Sequence, residues 1–314
     1  MPMRELAQTI VVTGATGYLG RKICASLVNE GNIVTGLSRH PMNNRKSMPP
    51  GVKMLVWGEL DDGWRQAIAS AQVVIHLAGE SVAAKRWTPE VKERIRASRI
   101  HTTHQVVSAM QGGRLISASA IGYYGARDDS ILMEDAAPGK GFLAEVCMQW
   151  EQEANAAIQR GVDVTIMRIG IVLGKDGGAL PAMLHPFSLP FNPWACGLGG
   201  PLGNGMQWMS WIHVDDLVAL FCDAASKNLE ISGACNATAP HPVRNREFTQ
   251  TLASVLHRPA LLPMPSFALH TILGEFADSL LTGQRAMPGV ALAKGFQFKY
   301  ASLQSALQNI LVKG

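Results

Sequence analysis

Short apolar runs alternate with helical stripes along the first half of the chain. Thr9-Ile10-Val11-Val12-Thr13 is a β-branched run that predicts a buried strand. A glycine-punctuated turn follows, then Leu19, Ile23 and Leu27 at helical spacing, with Gly31 placed to end the helix. Residues 33–37, 54–56 and 73–77 predict three further strands, with a short helix over 64–70. Thr88-Pro89-Glu90 reads as a helix start (a capping hydroxyl, proline at the first position, an acid in the first turn), and that helix runs to about Met110. Residues 114–117 and 162–167 predict a fifth and a sixth strand, joined by a long helix from Phe142 to Gln159. This alternation predicts an α/β fold, a Rossmann-type doubly wound parallel sheet.

The turn after the first strand reads Thr13-Gly14-Ala15-Thr16-Gly17-Tyr18-Leu19-Gly20. Gly14 permits the tight turn, and Gly17 lets backbone approach a pyrophosphate with no side chain in the way. Gly20 lets the helix pack on the sheet, and the helix N-terminus donates to the phosphate. Gly14, Thr16, Gly17, Tyr18, Leu19 and Gly20 are therefore the expected contacts of a dinucleotide. NAD sites place an acid about 20 residues past such a motif, for the ribose 2′-hydroxyl. Here that place holds Leu37-Ser38-Arg39. A hydroxyl and a guanidinium, with no acid, suit a 2′-phosphate. The expected cofactor is NADP, with NAD second.

Composition mainly excludes. The 314 residues are enough for one large domain or two smaller ones with a sizeable core. The net charge of +4 is mild and no dense Lys/Arg run occurs, so nucleic acid is not expected, while small anions such as phosphates are favoured. The opening residues carry no apolar run of a signal peptide, and no stretch approaches the ~18 apolar residues of a membrane span. Five scattered cysteines, 24, 147, 196, 222 and 235, without CxxC spacing suit a reducing compartment and offer no metal site. The expectation is a cytoplasmic protein with a small-molecule substrate; its oligomeric state is open.

Several motifs together carry a family resemblance. The glycine turn, His76-Leu77-Ala78-Gly79, Ser117-Ala118-Ser119 with Tyr123-Tyr124-Gly125, Arg168, and Trp211-Ile212-His213-Val214-Asp215-Asp216 resemble an extended short-chain dehydrogenase/reductase. Ala78-Gly79-Glu80-Ser81, Lys85-Arg86-Trp87, Leu198-Gly199-Gly200-Pro201-Leu202-Gly203 and Gly283-Gln284-Arg285 resemble a narrower, poorly characterised group, the NAD-dependent epimerase family proteins, some of which carry the older name cell division inhibitor. The likeness covers nearly the whole chain, including a helical segment from about Phe248. It implies a Rossmann domain of residues 1–173 and 206–228, and a smaller α/β substrate domain of 174–205 and 229–314. Pro190-Phe191-Asn192-Pro193-Trp194-Ala195-Cys196 departs from the group as an apparent insertion, a cleft lid or an enlarged loop.

The resemblance also implies a catalytic apparatus that this sequence only partly carries. Such enzymes use a Ser or Thr on the fifth strand and a Tyr-x-x-x-Lys on the next helix, where the lysine lowers the tyrosine pKa for proton exchange with substrate. Ser119 matches the serine, provided one extra residue lies between it and Tyr124-Gly125. Aligning on Glu151 puts Leu143 in the tyrosine place and Cys147 in the lysine place, and a slip of one gives Phe142 and Val146. Either catalysis is lost, or Tyr123 or Tyr124 supplies the proton. Asp215 and Asp216 are expected to start a helix, one capping it and one in its first turn, and His213 to end a strand. By the same resemblance His76, Leu77, Ala78 and Gly79 lie along the cofactor's ribose and phosphates. Arg99 either reaches the cofactor or makes a surface ion pair, and Ile171 walls the nicotinamide side. Three functions fit: an NADP-dependent oxidoreductase with a nonstandard proton donor, a non-catalytic NADP(H)-binding sensor, and a nucleotide-sugar epimerase.

Overall fold

The computed structural model of the chain describes residues 7–40, 47–58, 62–83, 85–184, 199–226, 228–260 and 262–313. The β-branched runs form strands where helices cover both sheet faces, which is why they read as continuous apolar stretches. These strands are β1 (Thr9–Thr13), β2 (Ile33–Ser38), β3 (Lys53–Val56), β4 (Val73–His76) and β5 (Arg114–Ala120). After them come β6 (Ile131–Leu132), β7 (Asp163–Ile169), β8 (Ile171–Leu173), β9 (Trp208–Met209), β10 (Trp211–His213), β11 (Gly233–Ala237), β12 (Val243–Arg244) and β13 (Arg285–Ala286). Seven of them make one sheet in the order β11-β7-β5-β4-β1-β2-β3, and every neighbouring pair is parallel.

Alternation along β1 sends Ile10 and Val12 to one face and Val11 to the other. Helix α1 (Tyr18–Asn29) contributes Ile23 and Leu27 to the first face. The second face takes Trp64 and Ile68 of α2 (Gly63–Ser70) and Val106 and Val107 of α3 (Pro89–Ala109), with Ala154 of α4 (Phe142–Asn155). The start of α3 is as expected: Thr88 Oγ1 accepts from the Val91 N–H at 3.3 Å, and Pro89 opens the helix.

β11 joins the central sheet beside β7, so the chain's return to that sheet continues past residue 228 into the stretch assigned to the smaller domain. Asp215 and Asp216 both lie in the first turn of the helix Val214–Ser226. The buried Asp216 carboxylate also accepts from the N–H groups of Lys299 (2.8 Å) and Tyr300 (3.0 Å), pinning the C-terminal segment. His213 does end a strand, buried with its ring 3.9 Å from that of Tyr300. A separate core of Leu173, Trp211, Phe248, Leu252 and Leu303 holds the C-terminal part together. The Pro190–Cys196 stretch lies outside the described residues. Among the described residues no helix is long and apolar enough to cross a membrane.

Candidate active site

All seven central strands run one way, so the loops after β1, β2, β4, β5 and β7 emerge along one edge. Chain order reverses at β1, whose neighbours are β2 and β4, and doubly wound sheets have their ligand crevice at the carboxyl ends of such a switch point. Gly14 has φ +66°, a left-handed conformation open to glycine, and an added Cβ would come within 3.0 Å of the Leu77 carbonyl carbon. The loops after β1 and β4 thus touch. At Gly20 a Cβ would lie 2.3 Å from the Gly14 carbonyl oxygen, so α1 can seat on the turn only with glycine there. Gly17 is different: it is exposed, and among the described residues only the Gly14 oxygen, at 3.1 Å, lies within 4 Å of a Cβ. No side chain caps α1 and no acid sits in its first turn. Its N–H groups are left for an anion.

The turn is keyed to the end of β2. Thr16 Oγ1 lies 3.3 Å from Ser38 Oγ, and Arg39 beyond it is exposed. Arg21, which the sequence reading missed, hydrogen-bonds the Thr16 carbonyl oxygen and adds a second guanidinium to this corner. Its position one turn into α1 was the available signal. Leu19 packs into the first core rather than facing the crevice. Tyr18 lies against the loop after β8, where a Cβ at Gly174 would fall 1.9 Å from its hydroxyl and one at Gly177 would fall 2.4 Å from its ring. Burial, and then Asp176 and Asp215, push its pKa up to about 12. Ile171 is half-buried in β8, its N–H on the Ser210 carbonyl at 2.8 Å, and it packs against the C-terminal core.

The structure places the His76 side chain in the interior. It is fully buried, with Nδ1 2.7 Å from Thr13 Oγ1 and Nε2 3.0 Å from Thr103 Oγ1, and burial lowers its pKa to about 3. It positions Thr13, whose Oγ1 in turn accepts from the Leu77 (3.1 Å) and Ala78 (3.3 Å) N–H groups and so shapes the loop that faces the crevice. Gly79 follows, exposed, and beneath it lies the Arg99 side chain.

Ser119 and Tyr124 belong to a buried network rather than to an open site. Ser119 donates to Glu151 Oε1 at 2.6 Å, and Glu151 takes a two-pronged ion pair from Arg168, at 2.9 Å from Nε and 2.8 Å from Nη2. Arg168 Nη1 donates to the Tyr124 hydroxyl (3.0 Å), which donates to Asn236 Oδ1 (2.7 Å). Tyr124 is fully buried and burial raises its pKa against the opposing pull of Arg168. The Ser119 hydroxyl is spent on a carboxylate because strand alternation turns it toward α4. The following Ala120 is the half-exposed strand end. Tyr123 is the open member of the pair: half-buried, its ring 3.6 Å from the Arg168 guanidinium carbon, its hydroxyl without a hydrogen-bond partner among the described residues.

A Cβ on Gly122 would lie 3.4 Å from Leu143 Cβ and 3.9 Å from Cys147 Sγ, so these two face the loop after β5. The Cys147 thiol is buried and its pKa is pushed up to about 12, chiefly by burial, which leaves it protonated at neutral pH.

Comparison with known proteins agrees with this geometry. Residues 10–236 match the NAD dependent epimerase/dehydratase family, and residues 264–310 match a domain of unknown function, DUF1731. The chain is 41% identical to the epimerase family protein SDR39U1 homolog, chloroplastic, of Arabidopsis thaliana, over 98% of this chain and 88% of that protein. It is 37% identical to the epimerase family protein YfhF of Bacillus subtilis, over 96% and 97%. The crystal structure of human epimerase family protein SDR39U1 (isoform 2) with NADPH superimposes with a TM-score of 0.81 at 30% identity, covering 96% of this chain and 98% of that one. With a glycine turn set at the switch point of a seven-stranded parallel sheet and a C-terminal DUF1731 region locked onto it, the chain belongs to the NAD-dependent epimerase/dehydratase family of extended short-chain dehydrogenases/reductases.

Proposed function

We propose that this protein is an NADP-dependent oxidoreductase whose proton comes from a group other than a Tyr-x-x-x-Lys pair. The observation that carries the cofactor assignment is the corner where Thr16 meets Ser38, with Arg39 exposed beside it and no acid at the end of β2. A human relative that binds NADPH supports it. The residues fit the group: Gly17 leaves room for a pyrophosphate, the α1 N–H groups face it, and Ser38 and Arg39 offer donors to a 2′-phosphate. Wild-type protein is expected to bind NADPH at least about tenfold more tightly than NADH, ~1.4 kcal/mol. The Arg39→Asp variant should erase or reverse that preference. Equal affinities of the wild type in calorimetric titration would remove the NADP assignment.

The chemistry a bound nicotinamide supplies is hydride transfer; the chain must supply a proton at the substrate oxygen. Tyr123 is the group with the geometry for it, since the Tyr124 hydroxyl is enclosed and the Cys147 thiol is buried. Stacking on the Arg168 guanidinium fixes the Tyr123 ring, and its hydroxyl has no hydrogen-bond partner among the described residues. Once a carbonyl substrate is found by following NADPH oxidation, Tyr123→Phe should lower kcat by about a hundredfold or more with cofactor affinity unchanged. Tyr124→Phe should act mainly on stability. Leu143 and Cys147 in the catalytic places favour a second reading, a cofactor-binding sensor without turnover. NADPH binding with no turnover across a broad carbonyl screen would favour the sensor.

A further inference from the structure

The buried hydrogen-bond chain through His76 has one consistent placement of its protons. At one end, the Thr13 hydroxyl oxygen accepts from the Leu77 N–H at 3.1 Å and the Ala78 N–H at 3.3 Å. A hydroxyl has two lone pairs and one proton, so both lone pairs are occupied and the proton must be donated. Its remaining partner is His76 Nδ1, 2.7 Å away, which therefore accepts. At the other end, Nε2 lies 3.0 Å from Thr103 Oγ1 and 3.5 Å from Thr102 Oγ1. Both of those hydroxyls spend their protons on α3 carbonyls, Thr103 on that of Arg99 at 2.6 Å and Thr102 on that of Ser98 at 2.7 Å. They are left to accept from the ring, so Nε2 carries its proton. The two ends, on β1 and on α3, require the same tautomer. A charged ring is disfavoured on both counts: a proton on Nδ1 would compete with the Leu77 and Ala78 N–H groups for the same two lone pairs, and burial lowers the pKa to about 3.

The chain ends where the backbone geometry counts. Leu77 and Ala78 open the loop after β4, and the Leu77 carbonyl carbon lies 3.0 Å from where a Gly14 Cβ would stand, so that peptide touches the glycine turn. Gly14 follows Thr13 directly. α3 also holds the far end of the same loop: the Glu80 N–H donates to Ser98 Oγ at 3.0 Å, and Arg99 Nη1 donates to the Glu80 carbonyl oxygen at 2.9 Å. The imidazole is the member of this chain with two neutral forms, and the other form would break the chain at both ends.

We infer that His76, locked as the neutral Nε2–H tautomer, is a positioning residue that sets the Leu77–Ala78 backbone against the glycine turn and thereby the fit of the dinucleotide. The last step rests on the proposed cofactor function; the tautomer and the backbone geometry do not.

The test follows the full chain by NMR and calorimetry. Long-range proton–nitrogen correlation of the ring at neutral pH should show Nδ1 bare and Nε2 protonated. His76→Leu removes the acceptor and the donor together. It should shift the Leu77 and Ala78 amide resonances and weaken NADPH by about tenfold or more. His76→Asn, whose side-chain oxygen can stand in for Nδ1, should return the affinity to within about threefold of wild type. Should His76→Leu fail to fold by circular dichroism, Thr13→Val against Thr13→Ser makes the same comparison: the variant without a hydroxyl loses about tenfold, and the one that keeps it stays within about threefold. A protonated Nδ1 overturns the inference. So does an NADPH affinity within about twofold of wild type in folded His76→Leu or Thr13→Val. A wild type that binds no NADPH overturns the cofactor function, and the tautomer with the Leu77 and Ala78 shifts then decides the lock.

Discussion

Arg168→Met is expected to lower the unfolding free energy by about 3–5 kcal/mol, the usual cost of leaving one member of a buried ion pair without its partner. Both side chains are almost fully enclosed, 5% exposed for Arg168 and 8% for Glu151. Arg168 is also the hub of the network: it donates to Glu151 twice, to the Tyr124 hydroxyl and to the Glu134 carbonyl oxygen. Methionine approximates its volume but supplies no donors, so Glu151 would keep a buried charge or take up a proton, and Tyr124 would lose one hydrogen bond. Urea denaturation measures the loss. The double variant Arg168→Met/Glu151→Met should regain much of it, since no unpaired charge remains. A single variant within about 1 kcal/mol of wild type would show that the network is not what holds α4 against β5 and β7.

Gly17→Val should abolish cofactor binding, by a hundredfold or more, ~2.7 kcal/mol, with a near-native circular dichroism spectrum. The two halves of that expectation have separate causes. The backbone at Gly17 has φ −71° and ψ 168°, an extended conformation any residue adopts, so the fold does not need glycine there for its dihedral angles. The space around it is open except for the Gly14 oxygen, and the new side chain would stand where a pyrophosphate approaches the α1 N-terminus. Gly20 makes the contrast, because a side chain there would collide with the turn's own backbone. Calorimetry with NADPH that gave wild-type affinity for Gly17→Val would reduce the motif to a structural turn.

The sequence by itself determined the elements that have local causes. Buried parallel strands announce themselves as β-branched runs, the glycine turn by its spacing after one of them, and the start of α3 by Thr88 and Pro89; each fixes its own backbone without help from distant residues. The corner proposed for the cofactor has a local cause too, since Ser38 and Arg39 sit a fixed distance past the turn along a regular strand. What only the tertiary structure decided are the identities of partners. Ser119 and His76 have the residue type and the chain position of site groups. Their atoms are taken, one by Glu151 from 32 residues away and the other by Thr13 and Thr103. Tyr123 and Tyr124 are adjacent and chemically identical, yet one is enclosed against Asn236 and the other lies open over Arg168. β11 has a sequence, Gly-Ala-Cys-Asn-Ala, too weakly β-forming to predict its place, and it becomes an edge strand because β7 offers it a ladder. In each case the deciding quantity is whether a polar group is desolvated and by whom it is then satisfied. That depends on long-range packing, which no local pattern encodes.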